Sequence, residues 1–124
     1  MGTRADFYIG KGKNSEWLGS IAWDGYPKGI PTVLLRQTNE KGFRANVSKF
    51  LDSRDDATLP NDGWPWPWED SGTTDYAYTL SGDKVLASCF GSAWFDPKNP
   101  PKEPKGHATL PNMADRQNIQ WGKK

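Results

Sequence analysis

Cysteine, histidine and methionine are nearly absent from this chain of 124 residues, which has one Cys, one His and two Met. A lone Cys89 excludes an internal disulfide and suits a reducing compartment. One Cys and one His cannot supply the nitrogen and sulfur ligands of a zinc site. A Ser-His-Asp or Cys-His catalytic set would need His107 held against a nucleophile, yet His107 follows a Pro- and Lys-rich stretch. Cys89 lies in a predicted strand, where it reads as a small apolar residue. No apolar run approaches the roughly 20 residues of a membrane span, and the first residues carry no apolar signal region. The expectation is therefore a cytoplasmic protein with no catalytic residues, metal or cofactor. Gly10-Lys11-Gly12-Lys13 lacks the spacing of a phosphate loop and reads as a hairpin turn. No EF-hand spacing is present, and Asp62, Glu69, Asp70 and Asp75 are the carboxylates left for an oxygen-only cation site.

Aromatic residues, by contrast, are plentiful. They make up 13% of the chain and include seven Trp, so the core should be built largely on rings. Ten Pro and thirteen Gly promise long loops. The most unusual stretch is Asp62-Gly63-Trp64-Pro65-Trp66-Pro67-Trp68-Glu69-Asp70. Pro65 and Pro67 fix their own φ and push the residues before them toward extended geometry. Three indoles on a stiff, alternating segment make either a binding platform or a plug for the core, with the first and third rings projecting to one side.

The net charge of +1 conceals an uneven layout. Residues 1–51 hold eight Lys/Arg against four Asp/Glu, residues 52–75 hold seven acids against Arg54 alone, and residues 97–124 hold six bases against two acids. The acidic block contains the Trp segment, and an acidic, aromatic surface suits a basic protein, with a sugar or a cation as other ligands. A uniform basic face for nucleic acid is not present.

Along the chain, Ala5 to Ile9 and Trp17 to Trp23 read as strands of an antiparallel hairpin. Pro31 opens a short helix carrying Val33, Leu34 and Leu35. Asn39 caps a second helix, on which Phe43, Val47, Phe50 and Leu51 form one apolar stripe. Residues 55–74 form a loop, Tyr76 to Leu80 a third strand and Lys84 to Phe90 a fourth, with Ala93-Trp94-Phe95 extending or following it. The expected fold is α+β: an antiparallel sheet of four or five strands with two helices on one face and long Trp/Pro-rich loops. Residues 1–96 form the domain. Residues 97–124 form a Pro/Lys-rich linker and tail docked on it, with Leu110, Met113, Ile119 and Trp121 as anchors. Ala-Thr-Leu-Pro-Asn occurs at 57–61 and again at 108–112, which predicts two similar Pro-bearing turns.

A second cluster, Trp23-Asp24-Gly25-Tyr26-Pro27, ends the first hairpin. Placing Arg4 beside Asp24 and Tyr26 would create a polar pocket there, with the guanidinium depressing the Asp24 pKa. The alternative is a plain Asx-type turn. Met1-Gly2-Thr3-Arg4 together with Trp23-Asp24-Gly25-Tyr26-Pro27 resembles a family of small phage- and prophage-associated bacterial proteins. The Trp segment, Thr74-Asp75-Tyr76-Ala77-Tyr78, Pro111-Asn112-Met113 and Arg116-Gln117-Asn118 resemble a narrower subgroup. The resemblance implies a phage or bacterial setting and a tail that belongs to the protein, and it carries no activity. The expected function is a non-enzymatic binding protein that modulates a host protein through Trp64, Trp66, Trp68, Glu69 and Asp70, with Arg4, Trp23, Asp24 and Tyr26 as a second binding group. The alternatives are a small enzyme centred on Asp24 or a carbohydrate-binding module using the Trp loop.

Overall fold

A computed structural model describes residues 2–113. Four strands, β1 (Ala5–Ile9), β2 (Glu16–Ile21), β3 (Tyr76–Ser81) and β4 (Lys84–Cys89), form one sheet in the order β2-β1-β3-β4. Two helices, α1 (Thr32–Leu35) and α2 (Glu40–Asp52), lie between β2 and β3 in the chain. The fold is α+β, as its sequence pattern predicts, but the sheet is mixed. β1 pairs antiparallel with β2 and parallel with β3, Ala5 lying opposite Tyr76 and Ile9 opposite Leu80. The connection from β2 leaves and re-enters at the same end of the sheet, so β3 runs opposite to β2. With β1 between them, β3 is left parallel to β1.

Alternation along β1 assigns two cores. Ala5 and Phe7 face the helices and pack with Leu34, Phe43, Val47, Leu51 and Tyr78. Tyr8 faces the other way and packs with Trp17, Trp64, Ala77 and Met113. Phe43, Val47 and Leu51 are buried as their helical spacing requires, and Asn39 accepts a hydrogen bond from the Gly42 N–H as the cap. Phe50 departs from that expectation. It is only half-buried, edge-on to Phe7 at 6.1 Å, with the Arg54 guanidinium 5.3 Å above its ring.

The register of β1 against β2 shifts between Phe7 and Tyr8. Leu18 is the extra residue, and Gly19 beside it takes φ 141°, where a Cβ would lie 2.5 Å from Leu51 Cδ1 and 2.8 Å from the Thr58 carbonyl. This bulge resets the alternation. Trp17 and Ser20, three apart, come to one face and bond each other, Trp17 Nε1 donating to Ser20 Oγ at 3.0 Å. The sequence places Trp23 in β2, but the strand stops at Ile21 because the Asp56 carboxylate accepts from the N–H groups of Ala22 and Trp23.

After α2 the chain passes the β2 edge, where Thr58 and Ser20 exchange backbone hydrogen bonds of 2.8 and 2.9 Å. It then crosses to the face away from the helices. On the opposite edge, Phe95 pairs with Ala87. Each edge strand is thus bridged at one residue. The two copies of Ala-Thr-Leu-Pro-Asn adopt different structures. Pro60 opens a 3-10 turn, Pro60–Asp62, whereas Pro111 is buried in irregular chain, so context rather than the pentapeptide sets the geometry. The segment up to Met113 lies against the Trp-bearing face. Met113 is buried there, its N–H donating to the Glu69 carbonyl at 2.7 Å. Ile119 and Trp121 lie outside the described residues.

Candidate functional site

The Trp segment does not stay an extended rod. Bends begin at Trp66, so the rings separate in another way than simple alternation predicts. Trp64 is buried at 6% exposure, edge-on to Trp17 at 5.2 Å, and its Nε1 donates to the Trp68 carbonyl at 2.7 Å. Trp66 and Trp68 stack on each other at 5.6 Å and 19° and remain half-buried. One ring thus plugs the second core, and two form a ledge beside it.

The ledge is tied to a carboxylate that the sequence reading passed over. Asp6 is fully buried on β1, on the Tyr8 face. Its Oδ1 accepts from Ser20 Oγ at 2.5 Å and from Trp66 Nε1 at 2.7 Å, and its Oδ2 accepts from Ser71 Oγ at 2.5 Å. The directions are fixed by chemistry: an indole N–H only donates, and Ser20 Oγ already accepts from Trp17. With Ser71 donating to Asp6, Tyr8 Oη donates to Ser71 Oγ at 2.7 Å. Trp68 Nε1 donates to Thr74 Oγ1 at 2.9 Å, and the Thr74 side chain also acts on Asp6. Burial pushes the Asp6 carboxyl above the usual carboxylate range, against the pull of Ser20, Ser71, Trp66 and Thr74. The signal for this hub is one acid inside an aromatic β run, at the position that alternation places with Tyr8.

Register brings other residues to the same end of the sheet. Ala5 pairs with Ile21 and with Tyr76, and Tyr76 pairs with Cys89. The residues just outside these pairs, Arg4, Ala22, Asp75 and Phe90, therefore border one end, hereafter the Arg4 end, and Trp23 follows Ala22. Arg4 does not meet Asp24. Its guanidinium lies 3.7 Å from Asp75 and 5.6 and 5.4 Å from the ring centroids of Trp66 and Trp68. Asp75 also accepts from the Arg4 N–H, at 2.8 Å, which fixes the pair along the parallel strands. Asp24 instead lies 3.9 Å from Arg54, and Arg54 is held by Asp56 at 2.7 Å and by the Trp23 carbonyl at 2.9 Å. The pocket expected from Arg4, Asp24 and Tyr26 therefore does not form.

Three large aromatics at the Arg4 end face solvent: Trp23 at 49%, Tyr26 at 42% and Phe90 at 60% exposure. Asp24, with φ 61°, and Phe90, with φ 49°, are the non-glycine residues in left-handed backbone among those described. Such geometry costs about 1–3 kcal/mol per residue and persists only where its surroundings impose it. At Phe90 they are evident. Its N–H donates to the Asp75 carbonyl, while Ser92 Oγ accepts from the Cys89 N–H and the Ser92 N–H donates to the Cys89 carbonyl. Glu69 is exposed beside Trp68, and Asp70 caps a turn by accepting from the Gly72 N–H at 2.8 Å. Asp62 likewise accepts from the Leu59 N–H.

Cys89 is bonded to Tyr76, and burial pushes its thiol up, away from thiolate chemistry. His107 is exposed at the far end of the molecule, with Lys11 and Lys13. Among the described residues no group of three or more His, Cys, Asp or Glu side chains is gathered to hold a metal ion, and no helix is long and apolar enough to cross a membrane. Comparison with protein-family models, curated proteins and solved structures finds no match to this chain.

Proposed function

We propose that this chain is a non-enzymatic binding protein of bacterial or phage origin, acting in the cytoplasm, that engages a basic protein surface through the Arg4 end of its sheet. The observation that carries the reading is the exposure of three large aromatics, Trp23, Tyr26 and Phe90, on chain that leaves the Arg4 end of the sheet, with left-handed backbone at Asp24 and Phe90. Exposed aromatics are enriched at the centres of protein interfaces, where their burial dominates affinity. Asp24 borders these rings, and Glu69 stands exposed beside the Trp66–Trp68 ledge. That acidic setting favours a cationic partner and disfavours an anionic one.

Trp66 and Trp68 support this surface more than they form it, because Arg4 lies over both rings. The exposed part of the reading therefore moves from the Trp segment to Trp23, Tyr26 and Phe90. The test is affinity capture from bacterial host lysate with quantitative mass spectrometry, comparing wild type with Trp23→Ser/Phe90→Ser at matched melting temperature. The expected result is a discrete basic partner retained by wild type and lost from the variant, with capture weakening as salt rises. A partner retained equally by both proteins would move the interface elsewhere and end this reading.

A further inference from the structure

We propose that the open edge of β4 at Val85 takes up an extended peptide as an added strand, with an apolar side chain opposite Val85 and acidic side chains flanking it. The register of the sheet shows why this edge is unfinished. The Tyr76 N–H donates to the Arg4 carbonyl at 3.0 Å, and the Leu80 carbonyl accepts from the Gly10 N–H at 2.8 Å. Tyr76, Tyr78 and Leu80 thus turn their backbone groups toward β1. Their partners on β4, Cys89, Ala87 and Val85, form the pairs without mutual hydrogen bonds and turn theirs outward. Ala87 exchanges two bonds of 2.8 Å with Phe95, and Cys89 bonds the N–H and Oγ of Ser92, both at 3.0 Å. The outward N–H and carbonyl of Val85 have no hydrogen-bond partner among the described residues, although Val85 is only 5% exposed.

A proline leaves the gap. Phe95 lies antiparallel to Ala87, so continuing that pairing sets Pro97 opposite Val85. Pro97 has no N–H to give and cannot complete the ladder. The chain turns off the edge there. Asp96 accepts from the Lys98 N–H on Oδ1 and from the Asn99 N–H on its carbonyl, both at 2.9 Å. A groove of about 470 Å³ remains, lined by residues of that turn, of the end of α1 and of the β3–β4 hairpin, with Val85 among them.

The groove selects its occupant. A donor and an acceptor on one residue, both facing out from a strand edge, are matched by extended backbone, whose residues offer the same two groups. Side chains directly opposite one another share a face of the sheet. Val85 packs in the helix-side core with Leu35, so the peptide residue opposite it should be apolar. Its neighbours in the peptide fall on the face of Lys84 and Leu86. Charge adds a second preference. Arg36, Lys84 and Lys98 line the groove against Asp83 and Asp96, and the Asp96 carboxylate is already engaged by the Lys98 N–H. Carboxylates on the flanking residues complement that cationic excess. With Ala87 and Cys89 already bonded, the edge offers one residue's pair of hydrogen bonds, which suits a short segment rather than a long strand.

The experiment is an amide chemical-shift titration of the full chain with the peptide acetyl-Thr-Glu-Val-Glu-Thr-amide. The expected result is saturable shifts centred on Arg36, Lys84, Val85 and Leu86, with slowed hydrogen exchange of the Val85 amide. N-methylation of the central valine removes the donor that meets the Val85 carbonyl and should weaken binding about tenfold or more. Replacing both glutamates by lysine should weaken it to a similar degree, about tenfold. Arg36→Gln/Lys98→Gln should weaken binding of the acidic peptide about threefold or more, while Lys49→Gln on α2 leaves it unchanged. The N-methyl comparison alters only the ligand, so it carries the test even if the double variant does not fold. Absence of saturation by about 5 mM peptide, shifts centred away from β4, or equal affinity for the N-methylated peptide would each overturn the proposal. Equal affinity for the lysine peptide, or unchanged affinity in the folded double variant, would overturn it as well. Shifts on this edge that grow with protein concentration in the absence of peptide, together with slowed diffusion, would assign the edge to a second copy of the chain and overturn the peptide reading. None of these outcomes depends on the Arg4 end.

Discussion

Asp6 shows how much one side chain can organise. Three hydroxyl or indole donors converge on its buried carboxylate, and two of them arrive from the Trp loop. Asp6→Asn keeps the volume but turns an amide N–H₂ toward groups that only donate there. We expect destabilisation of about 1–3 kcal/mol by urea denaturation, the scale of a buried unsatisfied donor. The variant also isolates the pH dependence. Burial raises the Asp6 pKa in the folded state, so the folded chain holds that proton more tightly than the unfolded chain. Its contribution to stability is full below the unfolded value of about 4 and is lost as pH rises through the folded pKa. Asp56 works the other way. Burial alone would raise it, but the Arg54 guanidinium and the N–H groups of Trp23 and Ala22 hold it below the usual range. Its contribution is present above about pH 4 and is lost as pH falls through the depressed pKa. Relative to wild type, Asp6→Asn should therefore close part of its deficit as pH rises from about 4 toward neutrality. A deficit that does not change with pH would show that Asp6 does not titrate in that window. The hub was hard to read from the sequence because four of its partners, Ser20, Trp66, Ser71 and Thr74, lie 14 to 68 positions away. Only the alternation of β1 marked Asp6 as facing Tyr8.

At the scale of elements, local signals carried well and long-range pairing did not. A run of β-forming residues located β1, alternation located β3, the apolar stripe located α2, and Asn39 capped it as its type and position required. Phe43 and Phe50 test how far the stripe can be trusted. Phe43→Ala should cost about 3–5 kcal/mol, the range for a fully buried ring. Phe50→Ala should cost about 1–2 kcal/mol, because the ring is half-exposed and contributes mainly an edge contact with Phe7. Equal shifts of the denaturation midpoint would place both rings equally deep. The bulge beside Gly19 was invisible in the sequence, since a glycine in a strand pattern does not announce which neighbour comes close. Gly19→Ala should cost about 1–3 kcal/mol through overpacking against Leu51 and Thr58. Arg4 illustrates the remaining difficulty. Asp24 was its natural partner in a hairpin, whereas the parallel pairing of β1 with β3 brings Asp75, 71 residues away, to its backbone N–H.

Across the whole molecule, one sheet carries two different covers. The helix cover packs aliphatic and Phe side chains over Phe7 and Tyr78, while the loop cover packs indoles and hydroxyls over Tyr8 and Ala77. The helix cover has a backbone ladder of its own in α2. The loop cover has little regular structure and depends on side-chain bonds and on the Trp64 plug. Elements held mainly by side chains occupy the low end of local opening free energies. Trp64→Ala removes the ring seated edge-on against Trp17 and the bond to the Trp68 carbonyl, at a cost of about 3–5 kcal/mol for the loop cover. Native-state hydrogen exchange of this variant should then show two groups of amides. Protection of the Gly72 and Thr74 N–H groups, bonded to Asp70 and Ser71 within the loop, should fall by the full local cost. Amides of Phe43 to Leu51 should fall only as far as global unfolding is affected. Loss spread evenly over both groups would mean that the covers open as one cooperative unit, with the sheet transmitting the cavity at Trp64 to the helices.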